Sequence, residues 1–152
     1  MVVKLVRVLL QRVNSASIEI NNKHYSSIKK GLLVFLGIKV DDSLKDVKYL
    51  AQKILKLRVF NDSSGLMNLS ILDKKYSIMV VSQFTLYANC TKGNRPSFIN
   101  VEKPKKAEKL YKLFIDELKK YNINLASGKF GANMKINLTN SGPVTIWMDS
   151  NE

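Results

Sequence analysis

Residues 31–38 read Gly-Leu-Leu-Val-Phe-Leu-Gly-Ile, an unbroken apolar run between Lys30 and Lys39. Eight residues fall far short of the roughly 20 that a membrane helix needs, and such a run fits a buried strand. Upstream, residues 4–11, 15–20 and 23–28 alternate apolar and polar side chains, with Asn21-Asn22 placed as a turn, so an antiparallel meander leads into the run. Downstream, Leu44, Val47, Leu50, Ala51, Ile54 and Leu55 recur at helical spacing behind Ser43 and Asp46, which are spaced as an N-cap and its N3 partner. A first helix is predicted over 44–57, followed by a strand at 58–60, a turn at 61–65, and a β-branched strand at 78–81 that runs on into 82–88. Pro104 opens a second helix carrying Ala107, Leu110, Tyr111, Phe114, Ile115 and Leu118 on one face. Short strands are expected at 122–126, 134–138 and 144–148.

No composition shift, repeat or long linker divides the 152 residues, which predicts a single domain over 1–152. Its 45% hydrophobic and 24% charged residues are those of a globular chain and exclude disorder and mini-protein scaffolds. Lys4, Arg7 and Arg12 interrupt the N-terminal apolar stretch where a signal peptide needs continuity, so a cytoplasmic location is expected. One cysteine, Cys90, and one histidine, His24, exclude an intramolecular disulfide and a Cys/His zinc site; no metal and no cofactor are expected. His24 lies in a polar hairpin segment, so a hydrolase built on this chain is expected to lack a side-chain imidazole base.

The formal charge of +13 favours a polyanionic partner. Because 21 of the 25 basic residues are lysine, AT-rich coding is a competing source of that charge. The second helix has Lys105, Lys106, Lys109, Lys112, Lys119 and Lys120 on its other face, either a solvated surface or one that contacts phosphate. Neither phosphate-loop pattern, G-x-G-x-x-G or G-x-x-x-x-G-K-[ST], occurs. Asp41-Asp42 and Asp116-Glu117 read as structural carboxylates. Two segments are harder to assign to scaffold. Ser82-Gln83-Phe84-Thr85 puts three hydrogen-bonding side chains at the end of an apolar strand, where burial costs free energy unless they are partnered or used. Asn140-Ser141-Gly142-Pro143-Val144-Thr145 joins two expected strands through a Gly-Pro step, the kind of bond for which a cis form is cheap, though a plain turn accounts for it as well.

SQFTLYA at 82–88, KGNRPSF at 92–98, KFGANM at 129–134 and NSGPVT at 140–145 resemble, in order and spacing, the signature blocks of bacterial-type D-aminoacyl-tRNA deacylases, also called D-tyrosyl-tRNA(Tyr) deacylases. LQRV at 10–13, GLLVFLGI at 31–38 and KILKLRVF at 53–60 extend the resemblance nearly end to end. Ser141 and Ile146 depart from the pattern, which favours an acidic residue and an aromatic at those positions. With the element order, the resemblance predicts an α+β single domain with a mostly antiparallel, barrel-like sheet and two packed helices.

The resemblance implies hydrolysis of the ester joining a D-amino acid, or glycine mischarged on tRNA(Ala), to the 3′-terminal ribose of tRNA, with rejection of L-aminoacyl substrates. It implies a homodimer in which a cis Gly142-Pro143 step enters the partner's pocket, where its two carbonyls hold the substrate ammonium. Ser82, Gln83, Phe84 and Thr85 are the implied catalytic residues, and Gly142, Pro143, Met134 and Arg12 the substrate-binding ones. Backbone N–H groups of Phe84 and Thr85 would stabilise the oxyanion. Gln83 would fix the ribose or carbonyl, Ser82 support the strand, Met134 line the pocket and Arg12 orient the Gly-Pro carbonyls. Thr85 is either a nucleophile or the group that orients an attacking water; threonine as nucleophile needs a neighbouring base. A non-catalytic RNA-binding protein and a generic esterase are the alternatives.

Overall fold

Both faces of the apolar run are covered, and this explains its lack of alternation. The computed structural model describes residues 6–150; Lys4, at the expected start of the first strand, lies outside them. The run forms β3 (Gly31–Gly37), which pairs in parallel with β6 (Ser77–Ser82), another unbroken apolar strand. Leu32, Val34, Leu36, Ile78 and Val80 point into the larger core, while Leu33, Met79 and Val81 point into a smaller one on the opposite face.

Around this pair the sheet is mostly antiparallel. β1 (Arg7–Ile20) pairs with β3 through residues 7–13 and with β2 (Lys23–Ile28) through residues 16–20. Asn21 and Asn22 make the two-residue turn, both with positive φ, which asparagine tolerates. β8 (Lys135–Asp149) lies along the other side of β1, and β7 (Asn124–Ser127) closes the far side next to β6. The pairings β3 with β6 and β6 with β7 are parallel.

The helical segments sit where periodicity places them. α1 (Leu44–Lys56) begins with Ser43, whose N–H and hydroxyl donate to the Asp46 carboxylate at 2.9 and 2.8 Å. α3 (Pro104–Lys119) packs against it, burying Leu110, Phe114 and Leu118 in the larger core. Of the carboxylates read as structural, Asp42 accepts the Lys39 N–H and Glu117 pairs with Lys120 at 2.7 Å.

Four expectations are corrected. A third helix, the single turn α2 (Ile71–Lys74), follows the hairpin of β4 (Phe60–Asn61) and β5 (Met67–Leu69), so the strand expected at 58–60 begins at Phe60. The strands expected at 4–11 and 15–20 are one, as are those at 134–138 and 144–148. The Gly-Pro step makes no turn between strands: Gln11 pairs with Thr145 and Val13 with Asn140, so residues 141–144 form a bulge within β8 opposite Arg12. Finally, the strand expected over 82–88 stops at Ser82 and gives way to a 3-10 turn, Phe84–Tyr87.

Core and rim make opposite stability predictions. Phe114→Ala removes a fully buried ring, at a cost of about 3–5 kcal/mol and a fall in Tm of roughly 6–20 °C. Ile99→Ala, at a residue 82% exposed, is expected to change stability by no more than about 0.5 kcal/mol. Thermal melts of the two variants check this.

Glu102 is buried; it accepts the Lys103 N–H at 2.8 Å, pairs with Lys106 at 2.9 Å, and donates its own N–H to the Ile38 carbonyl at 3.1 Å. Burial alone would raise its carboxyl, but the bonds from Lys106 and Lys103 outweigh it and hold the group below the ordinary 4.5. A carboxyl lowered by folding adds stability that is present above its unfolded value and lost as pH falls through the lowered one. Urea midpoints of Glu102→Gln are therefore expected to fall less steeply than wild type between about pH 5 and 3; parallel profiles would contradict this.

Candidate active site

Where β3 and β6 end side by side, at Leu36 and Ser82, the chain leaves the sheet. Gln83 N–H donates to the Leu36 carbonyl at 2.8 Å and the backbone then coils into the 3-10 turn. Gly37 lets that turn lie against the sheet: a Cβ there would stand 3.0 Å from the Gln83 carbonyl oxygen and 3.1 Å from the Leu86 Cβ. The first N–H groups of a helix have no partner within it, so the turn presents those of Phe84 and Thr85 at its start. The Gln83 side-chain amide donates to the Thr85 hydroxyl. Phe84 is 55% exposed and Thr85 is also exposed, whereas Ser82 and Gln83 are half-buried.

Beside the turn lies a cleft of about 730 Å³, within the size range of small-ligand pockets. Ser82, Gln83, Phe84 and Met134 line it together, joined by Phe98, Phe130, Glu102, Lys103, Ala107 and Tyr111. Phe84 and Phe98 meet edge to face with ring centroids 5.1 Å apart, and Tyr111 and Phe130 are tilted at 5.8 Å. The aromatic wall is therefore partly open to solvent, an arrangement that suits a planar ligand.

Tyr111 and Glu102, which line the cleft, are poor bases. The Tyr111 hydroxyl donates to the Val80 carbonyl at 3.0 Å, and burial pushes its pKa up to about 12. Glu102, already committed to Lys106 and Lys103, is weakened as a base by the same bonds that keep it charged. His24 is exposed on β2 and does not line the cleft. Among the described residues no cluster of three or more His, Cys, Asp or Glu is placed to hold a metal. No helix among them is long and apolar enough to cross a membrane.

The other three expected residues lie elsewhere in the chain. Arg12 donates to the Ser141 carbonyl at 3.0 Å, to the Val59 carbonyl at 2.8 Å and to Asn61 at 3.4 Å. Its hydrogen bond thus falls on the carbonyl just before the Gly-Pro step, in place of the Gly-Pro carbonyls themselves. The Gly142-Pro143 bond is cis, and Gly142 has φ +131, a conformation that L side chains rarely adopt. Both residues are exposed. On β1, Arg12 is aligned with Leu32 and Val8 with Leu36, so the Gly-Pro bulge lies about 13 Å along the strands from the cleft end of β3.

Several cleft residues escaped the sequence reading of the site. Phe98 and Phe130 lay inside the quoted blocks, next to residues with more evident chemistry. Ala107 and Tyr111 matched the core stripe of α3, and Glu102 gave no signal of its own.

The sequence profile of the D-Tyr-tRNA(Tyr) deacylase family matches residues 9–149. The D-aminoacyl-tRNA deacylase of Thermosipho melanesiensis is 52% identical over 146 residues, covering 95% of this chain and 97% of that protein. Among solved structures, a c-Myc DNA unwinding element binding protein superposes with a TM-score of 0.88 at 41% identity, covering 93% of this chain and 97% of the other. A probable eukaryotic D-amino acid tRNA deacylase shares the fold at 18% identity, with a TM-score of 0.82 over 95% of this chain and 99% of its own. By the profile match and by identity over nearly its whole length, this chain belongs to the D-Tyr-tRNA(Tyr) deacylase family.

Proposed function

We propose that this protein hydrolyses the ester between a D-amino acid and the 3′-terminal ribose of tRNA, releasing the free amino acid and intact tRNA, and so acts in translation quality control. The observation that carries this reading is the juxtaposition of the Gln83–Thr85 hydrogen bond, the open N–H groups of the 3-10 turn and an aromatic-walled cleft. In this reading the terminal adenine stacks on the aromatic wall, as single-stranded bases do on Phe and Tyr. The ester carbonyl then lies over the turn.

Water attacks that carbonyl, and the N–H groups of Phe84 and Thr85 stabilise the tetrahedral oxyanion. Collapse breaks the bond to the ribose 3′-oxygen, which takes up a proton while the amino acid leaves as its carboxylate. Neither Tyr111 nor Glu102 is a good base and His24 is not in the cleft, so the neighbouring ribose 2′-hydroxyl assists the water. Thr85, tethered by Gln83, orients it and is not itself the nucleophile.

Chirality enters through a second chain. β8 is an edge strand whose described residues pair only with β1, and it exposes Leu138 and Trp147. Long open edges invite pairing with another copy, here as a homodimer. In that dimer Gly142 and Pro143 of each chain enter the other's cleft, and their carbonyls hold the substrate ammonium where an L side chain would clash. Backbone recognition of this kind accepts many D-amino acids and achiral glycine, including glycyl-tRNA(Ala). The protein works in the cytoplasm, beside the charged tRNA pool.

Deacylation of D-Tyr-tRNA and L-Tyr-tRNA tests the reading. Release from the D-substrate alone is expected. No release would indicate an RNA-binding protein, and equal release from both an unselective esterase. Thr85→Ala is expected to retain a measurable rate, lowered about 10- to 100-fold. Complete inactivity in a folded variant, or an acyl group trapped on Thr85 by mass spectrometry, would overturn the water mechanism.

A further inference from the structure

Lys103, the N-cap residue of α3, stands at i, i+4 and i+8 with Ala107 and Tyr111, in one row along the side of the helix that borders the active-site cleft. Ala107 and Tyr111 are buried, and Lys103 ends the row in solvent. Among the described residues it is the one cation that lines the cleft. Other lysines of the helix are placed differently: Lys105, Lys109 and Lys112 line a separate shallow groove that shares no residue with the cleft.

The Lys103 charge is not compensated within the cleft. Glu102 is the one carboxylate among the described lining residues, and both of its oxygens are engaged: Oε1 accepts the Lys103 backbone N–H at 2.8 Å and Oε2 pairs with Lys106 at 2.9 Å. Among the described residues, no ion pair within 4.0 Å includes the Lys103 ammonium. Its backbone is fixed, by the bond to Glu102 and by its carbonyl, which accepts the Ala107 N–H at 2.9 Å. Glu102 in turn is moored to Ile38, two residues beyond the Leu36 that moors the 3-10 turn, so Lys103 and the turn border the same cleft from neighbouring anchors. An unpaired ammonium on a fixed stem, in a cleft whose one carboxylate is already occupied, is suited to an anion. We propose that Lys103 binds the phosphodiester that joins the terminal nucleoside of the tRNA to the rest of its strand. This deepens the tRNA reading given above and rests on it: with the adenine on the aromatic wall and the ester over the turn, the same ribose carries that phosphate on its 5′ side. Contacts of this kind position a strand and carry no sequence information.

The experiment compares two probes that differ only in this group, adenosine and its 5′-methylphosphate, a diester like the tRNA backbone. Their Kd values are measured by calorimetry for wild type, Lys103→Gln, Lys103→Arg and the control Lys109→Gln, with folding checked by thermal melts. Wild type is expected to bind the phosphate probe about fivefold more tightly than adenosine at low salt, the upper range for an exposed ion pair, and the preference to shrink as salt rises. Lys103→Gln is expected to lose the preference without weakening adenosine itself; Lys103→Arg and Lys109→Gln keep it. The D-tyrosyl 3′ esters of the same two probes give a second readout, in which the ratio of their kcat/KM values should fall to about one in Lys103→Gln alone. A preference unchanged in Lys103→Gln, absent in wild type, or lost equally in Lys109→Gln would overturn the proposal. If wild type cleaves neither ester but keeps a Lys103-dependent preference for the phosphate probe, the hydrolytic reading fails and the phosphate contact stands.

Discussion

Gln83 donates its backbone N–H to the Leu36 carbonyl at the last rung shared by β3 and β6, and everything at the candidate site is referred to that bond. The two strands are buried on both faces, so their ends cannot shift without disturbing both cores. A chain leaving such a rigid edge over a glycine can coil at once, and Gly37 gives the room. The 3-10 turn thus sets the positions of Phe84 and Thr85, while Ser82 and Gln83 stay on the sheet side of the cleft. On the far side, Glu102 fastens the start of α3 to Ile38, so the cleft is held between two elements fixed to the end of the same strand.

A second tie works at the opposite end of the strands. Arg12 reaches from β1 to two carbonyls far apart in the chain, Ser141 in the β8 bulge and Val59 before β4. The guanidinium presents its donors in a fixed fork, which lysine cannot reproduce. It thereby ties the carbonyl just before the Gly142-Pro143 step to β1, on an exposed strand away from its own chain's cleft. This separation is the physical ground for proposing that two chains complete each other's sites.

Much of this was legible where the signal is local. The period of α1 and α3, the Ser43–Asp46 capping box and the Asn21-Asn22 turn depend on neighbours within a few residues, and the structure follows them closely. The apolar runs at 31–38 and 78–81 announced buried strands but not their parallel pairing, which depends on residues far apart in the chain. The Gly-Pro step misled because its local chemistry is that of a turn, whereas the long pairing of β1 with β8 absorbs it as a bulge. The 3-10 turn was hidden because Phe, Thr, Leu and Tyr are good strand residues, and it is Gly37, from another strand, that admits the coil. The cleft's aromatic wall escaped for a related reason: cavities are made by tertiary packing, and a residue such as Tyr111 looks the same in sequence whether it faces a core or a pocket.

The central claim, that one chain's Gly142-Pro143 step serves its partner's cleft, is tested most directly by subunit complementation. Gln83→Ala disables the cleft and Gly142→Val disables the step, since a Cβ at Gly142 would stand 3.0 Å from the Arg12 guanidinium at a φ that L side chains rarely adopt. Each variant alone is expected to be nearly inactive on D-Tyr-tRNA. Mixed dimers purified with two affinity tags are predicted to recover about half of the wild-type rate, because one of their two sites combines an intact cleft with an intact step. If both elements act within one chain, each subunit of the mixed dimer keeps its own defect; activity no higher than that of the parents would contradict the account.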